Sequence, residues 1–197
     1  GEGCGPLLIA KNPIKLSDLP KLRIALPGKN TTANRLFEIF FPQAKNCLYT
    51  SYENIMVKIG KGEVDAGVII HENRFTYQGK GFALIADLGD LWAQKYGALL
   101  PLGGIVAKRS LGSAKIKQIS EQISKSVLWA MQSPQHKDLQ SFIQGYAQEQ
   151  ELSVMQQHIN LYVNQYSVHL GEKGRSAIKN LLSNSIDNSK PIFINDM

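Results

Sequence analysis

Cysteine is scarce. Cys4 and Cys47 are the two in 197 residues, too few for a disulfide framework or a cysteine-built zinc site, so a reducing compartment with inert thiols is expected. Long apolar runs are also missing. The longest, such as Ala66 to Ile70, stop after one strand length, far short of the ~20 residues a membrane-spanning helix needs. Charged residues make up 19% and no residue type dominates, which excludes disordered, collagenous and coiled-coil classes. Tandem repeats and low-complexity stretches are absent. His136, His158 and His169 lie far apart in sequence and no short histidine metal-binding motif occurs, so no metal site is expected. There is neither a P-loop nor a serine nucleophile elbow.

What is present describes a folded α/β chain. Hydrophobic residues reach 43%, enough for one large domain or two small lobes. The net charge is +6, but the basic residues are scattered rather than clustered with aromatics. That argues against nucleic acid and for a small anionic ligand. The chain starts Gly1-Glu2-Gly3-Cys4-Gly5-Pro6 without Met and reads as a chain cut in the middle of a fold.

Strands and helices alternate through the first half. Strands are expected at 7–10, 22–26, 48–50, 66–70 and 82–86, and again at Ile105-Val106-Ala107. Ala33, Leu36, Phe37, Phe40 and Phe41 recur at helical spacing after Thr31-Thr32, and Pro42 ends that helix. Tyr52 to Ile59 and Leu88 to Tyr96 are further helices. Strand, helix, strand in this order predicts a parallel sheet. Beyond Gly112 helices dominate. Ile116, Ile119, Ile123, Val127 and Ala130 share one face. Ser133-Pro134 is expected to start a helix burying Leu139, Phe142, Ile143 and Tyr146. Ser153 and Gln156 are expected to form a capping box, and a last helix from Gly171 to bury Ala177, Ile178, Leu181 and Leu182. Trp92 and Trp129 are expected in the core or a pocket wall. The tail reads as a polar loop over 183–190 with a short apolar end at 192–194.

Three places could carry chemistry. Gly28-Lys29-Asn30-Thr31-Thr32-Ala33 joins a strand to a helix N-terminus, where backbone N–H groups and the helix dipole favour an anion. The Thr31 and Thr32 hydroxyls would add donors aimed at the same spot. A plain helix cap is the alternative. His71-Glu72-Asn73-Arg74-Phe75-Thr76-Tyr77 follows the most apolar strand, and ligands of open α/β sheets sit at strand carboxyl ends. His71 is suited to be a general base. Glu72 could orient it or pair with Arg74. Otherwise His71 caps the strand and Arg74 pairs on the surface. Tyr162-Val163-Asn164-Gln165-Tyr166-Ser167 is a polar helix end where Asn164 either meets a ligand or satisfies backbone.

The run from Gly62 to Tyr77, with His71-Glu72-Asn73-Arg74-Phe75-Thr76-Tyr77 at its end, resembles the signature of the 1,4-dihydroxy-6-naphthoate synthase family of the futalosine route to menaquinone. Asn73 departs from the serine usual there. Gly5-Pro6-Leu7, Pro27-Gly28 with Thr31-Thr32-Ala33, Ala86-Asp87-Leu88-Gly89, Leu100-Pro101-Leu102-Gly103 and Tyr162-Val163-Asn164 with Ser167 match in the same order. The resemblance covers nearly the whole chain.

The resemblance implies an α/β, two-lobed fold like type II periplasmic binding proteins, here lacking the N-terminal part of the first lobe. Residues 7–108 would form the second lobe, and 109–197 the helical part that completes the first. It implies a cytoplasmic, cofactor-free carbon–carbon lyase that converts cyclic dehypoxanthinyl futalosine, a carboxylate, to 1,4-dihydroxy-6-naphthoate and dihydroxyacetone. His71 would be the base, Thr31 and Thr32 would bind substrate, and Glu72, Arg74 and Asn164 are further candidates. The family begins upstream of Gly1, so the chain alone is expected to be weakly active or inactive. Its expected partners are the missing segment or a second copy, with no nucleic acid and no membrane. The rival readings are a non-catalytic binding protein for a small carboxylate and the sister enzyme chorismate dehydratase.

Overall fold

The computed structural model describes residues 3–147, 151–183 and 192–193. They fall into two compact units, one up to Leu102 and one from Gly103 onward.

The first unit is built on a five-stranded sheet. Its strands are β1 (Leu7–Ala10), β2 (Ile24–Leu26), β3 (Cys47–Tyr49), β4 (Ala66–Ile69) and β5 (Ala83–Asp87), in the spatial order β3-β2-β4-β1-β5. β2 runs parallel to β3 and β4. β1 is antiparallel to both neighbours, β4 and β5. The sheet is therefore mixed rather than parallel. Strand–helix alternation predicts the parallel trio correctly, but the first strand inserts between the last two. Strand periodicity says which face a residue takes, not which strand lies beside it.

Successive residues alternate between two covered faces. Leu7, Ile9, Ala25 and Ile69 pack in one cluster with Ile55, Met56 and Ile59 of α2 (Tyr52–Gly60). Gly67 lies on this face, and a Cβ there would meet Ile55 Cγ2 at 2.5 Å, so α2 approaches the sheet only because residue 67 lacks a side chain. By alternation Leu8, Ile24, Leu26 and Val68 turn to the opposite face, and all are buried. α1 (Thr32–Phe40) and α4 (Leu88–Tyr96) pack together there, burying Leu36, Phe37, Leu88 and Trp92. A 3₁₀ turn, Leu16–Lys21, links β1 to β2, and the short α3 (Asn73–Thr76) follows β4.

In the second unit every regular element among the described residues is helical: a 3₁₀ turn at Arg109–Leu111, then α5 (Ser113–Gln132), α6 (Lys137–Tyr146), α7 (Leu152–Tyr162), α8 (Gln165–Val168) and α9 (Gly171–Leu182). Several sequence expectations are corrected here. Ile105-Val106-Ala107 is not a strand. Ile105 is 79% and Val106 93% exposed, because no neighbouring strand takes their backbone groups among the described residues. α6 begins at Lys137 with His136 as its N-cap, and Ser133 instead ends α5. Phe142 and Tyr146 meet as a tilted ring pair with centroids 5.0 Å apart but stay 65% and 79% exposed. Leu182 and Trp129 are exposed as well, whereas Trp92 is core. α7 is capped by Glu151, whose carboxylate accepts from the Ser153 N–H, so Ser153 is inside the helix rather than its cap. The expected face of α5 keeps Ile116 buried and Ile119, Ile123, Val127 and Ala130 partly buried. In α9, Ala177 and Leu181 are buried. The tail expectations for 184–191 and for Ile194 lie outside the described residues.

Candidate active site

Topology gathers the candidate residues of the first unit at one edge of its sheet. β2, β3 and β4 are parallel, so their carboxyl ends share that edge. The segment from Gly28 to Thr31, the start of α2 and His71 follow those three ends directly. β1 runs the other way, so its lead-in Gly5-Pro6 reaches the same edge, and so does Asp87 at the end of β5. This is the edge where open α/β sheets take ligands.

His71 is exposed and has a positive φ of 57°, which no other non-glycine residue shows among the described residues. Histidine is one of the few side chains that tolerates this left-handed region. The sharp reversal turns the chain from buried β4 into α3. The imidazole packs on the Tyr52 ring, with centroids 4.8 Å apart and planes at 57°. Glu72 is the N-cap of α3 and makes no side-chain cap bond.

Arg74 is held inside the unit. Its guanidinium donates to the carbonyls of Gly5 and Gly3 and to Asp87 Oδ2, 2.8 Å away. It therefore pairs with Asp87 and not on the open surface. The second Asp87 oxygen accepts from the N–H groups of Gly89 and Asp90, capping α4. Gly5 and Gly89 meet backbone to backbone, and a Cβ on Gly5 would lie 2.2 Å from Gly89 Cα. Sequence reasoning matched the runs containing Asp87 and Gly89 without assigning them a role. The Asp-x-Gly-Asp cap pattern was the available signal.

Thr31 and Thr32 lie at the start of α1. Thr31 Oγ1 accepts from the Asn34 N–H at 3.1 Å and donates to the Gly28 carbonyl at 2.8 Å. Thr32 Oγ1 donates to the Leu102 carbonyl at 2.9 Å. Both hydroxyl protons thus serve backbone carbonyls and do not aim at one spot. What the turn offers an anion is backbone, since helix geometry leaves the first N–H groups without intrahelical acceptors. Asn34, missed in the sequence, is buried and ties the loop down by donating to the Lys29 carbonyl and to Glu38 Oε1. Its signal was a polar residue inside the apolar stripe of α1.

Asn164 belongs to the second unit. It caps α8, its Oδ1 accepting from the Tyr166 N–H at 2.9 Å, while Ser167 Oγ accepts from the Asn164 N–H. This satisfies backbone at a helix end. Both cysteines are free thiols, and burial pushes the Cys47 thiol up, helped by Glu38, which keeps it protonated and unreactive. Among the described residues no helix is long and apolar enough to cross a membrane.

Comparison with known proteins gives the chain's relatives. A 1,4-dihydroxy-6-naphthoate synthase of Thermus thermophilus is 35% identical over 200 residues, which cover 98% of this chain and 72% of that protein. The corresponding synthase of Streptomyces coelicolor is 36% identical over 188 residues, covering 93% of this chain and 65% of its own length. A solved structure from Archaeoglobus fulgidus superposes with a TM-score of 0.85 at 28% identity, covering 93% of this chain and 67% of that one. A periplasmic sulfonate-binding protein of Methylobacillus flagellatus gives a TM-score of 0.55 at 13% identity, covering 100% of this chain and 65% of that one, a likeness of fold alone. The sequence model of the menaquinone biosynthesis family matches residues 1–185, and the chain belongs to that family.

Proposed function

We propose that the protein acts as a 1,4-dihydroxy-6-naphthoate synthase. The reaction is a carbon–carbon cleavage of cyclic dehypoxanthinyl futalosine to 1,4-dihydroxy-6-naphthoate and dihydroxyacetone in the cytoplasm. His71 is the general base. Its imidazole accepts a proton of the substrate, and the electron pair of that bond becomes a new double bond of the ring as the neighbouring carbon–carbon bond breaks. The pair from the broken bond leaves on the three-carbon fragment, which takes the proton back from His71 to become dihydroxyacetone, with aromatisation of the new ring driving the step. The start of α1 receives the substrate carboxylate through backbone N–H groups, with Thr31 and Thr32 holding the turn in shape. Glu72 is an orienting candidate beside His71. Arg74 acts through Asp87 by fixing the loop that carries His71. Residues 7–108 are the second lobe of a two-lobed protein, and 109–197, with Asn164, are part of the first.

The observation that carries this reading is the similarity to the Thermus synthase over 98% of the chain. The position of His71 at the carboxyl edge of the sheet supports it physically. The test is turnover of cyclic dehypoxanthinyl futalosine, followed as appearance of the naphthoate. It is run on the chain alone and on the chain joined to the portion of the Thermus relative it does not span. The chain alone should be weak or inactive. Product from the joined form that disappears in His71→Ala supports the reading. No product from the joined form defeats it, and carboxylate binding without turnover would leave a binding protein.

A further inference from the structure

The contact between Tyr52 and His71 joins two segments that share no stretch of sequence. Tyr52 is the first residue of α2, and His71 stands beyond the end of β4. The rings meet tilted at 57°, with centroids 4.8 Å apart, within the range of favourable aromatic pairs. The Tyr52 ring is itself anchored. It packs against the buried cluster that includes Ile55, Met56, Ile59 and Ile69. His71 is exposed, and its left-handed backbone sends the side chain away from the course of the strand. A catalytic group must be held to within fractions of an ångström, and a ring contact restricts the direction of an imidazole.

We propose that Tyr52 is a positioning residue that fixes the direction of the His71 imidazole by ring contact, with the core of the first unit as its footing. The assignment deepens the general-base reading of His71 and rests on it for its catalytic consequence. The ring surface does the work, not the hydroxyl. Partial burial, with the nearby carboxylates of Glu72 and Glu53, holds the Tyr52 phenol above its ordinary value, so it remains a neutral ring across the neutral range.

The test combines two variants, with kcat measured in the joined form described above, and a readout independent of turnover. In the unmutated protein, nuclear Overhauser contacts should connect the ring protons of Tyr52 and His71, and the His71 ring protons should be displaced upfield by the Tyr52 ring current. Tyr52→Phe should keep both signals and near-normal kcat. Tyr52→Leu should abolish the upfield displacement and lower kcat about tenfold or more, with KM and Tm little changed. A purely structural tyrosine would lower Tm and leave kcat of the folded protein unaltered. Absence of ring-to-ring contacts in the unmutated protein overturns the proposal, and so does wild-type kcat in Tyr52→Leu or a Phe variant as poor as the Leu variant. If Tyr52→Leu does not fold, the unmutated spectrum and Tyr52→Phe still decide. Undiminished turnover in His71→Ala would remove the base reading instead, while the spectra still report the ring contact.

Discussion

Arg74 and Asp87 form a mostly buried ion pair at 2.8 Å, with side chains 17% and 11% exposed, and each partner does a second job. Arg74 holds the carbonyls of Gly3 and Gly5, and Asp87 caps α4. One pair thereby fastens the loop carrying His71 to the strand lead-in and to the β5–α4 corner. Asp87→Ala removes the ion pair and the cap together and should cost about 3 kcal/mol. Arg74→Lys keeps the charge but loses the planar fork and should cost about 1 kcal/mol. Urea midpoints check the order. An Asp87→Ala variant no less stable than Arg74→Lys would refute the joint weight given to the ion pair and the cap.

The two threonines should separate in solution although they are neighbours. Thr31→Ala deletes the cap of α1 and should cost about 1 kcal/mol. Thr31→Ser keeps the oxygen and should cost little. Thr32→Val leaves the cap intact and loses the tie to the Leu102 carbonyl, again about 1 kcal/mol. Because both hydroxyl protons serve the backbone, Thr31→Ser should leave KM for substrate close to normal, while Thr31→Ala raises it as the turn loosens. A large KM rise in the serine variant would mean that the Thr31 methyl group, not the backbone frame, meets the substrate.

His71 holds a backbone conformation that most side chains resist, with φ at 57°. Replacing it separates backbone strain from chemistry. His71→Gly and His71→Ala should both lose turnover. The glycine variant should be the more stable of the two by about 1 kcal/mol, since alanine in the left-handed region clashes through its Cβ. Thermal unfolding of the pair measures the difference, and an alanine variant as stable as the glycine one would mean that the loop relaxes out of the left-handed turn.

Much of the first unit was legible because its signals are local. The apolar runs of β1 and β4, the three-four spacing from Ala33 to Phe40 and the Gly60-Lys61-Gly62 stop each depend on near neighbours in the chain. The start of α1 after the Gly28 turn and the placement of His71 after a buried strand were legible for the same reason. The insertion of β1 between β4 and β5 was not, because it is settled by long-range packing. Nor was the Asp87 partner of Arg74, thirteen residues on, or the Tyr52 ring against His71. In the helical unit, amphipathic spacing in α6 predicted a buried face, yet Phe142 and Tyr146 are exposed. Periodicity marks which residues could be covered, and coverage then depends on what lies opposite.

Asp65 gives the acid side of the stability profile a definite sign. Its carboxylate accepts from the Arg23 guanidinium at 2.7 and 3.1 Å and from the Arg23 backbone N–H at 2.8 Å. These bonds, the side-chain ones foremost, hold it below the ordinary value of 3.8. A carboxylate depressed by folding stabilises the native state fully above its unfolded value, and that contribution fades as pH falls through the folded value. Asp65→Asn should therefore lower stability at neutral pH and flatten the loss of stability below about pH 4, without altering the profile at alkaline pH. Glu63, lowered by Lys58, and Glu151, lowered by Ser153, keep part of the acid limb in the variant. Because the Arg23 side chain is 47% exposed, added salt should shrink the difference between variant and wild type. Denaturation followed against pH at two salt concentrations reads both effects, and an acid limb as steep in Asp65→Asn as in wild type would remove Asp65 as its source.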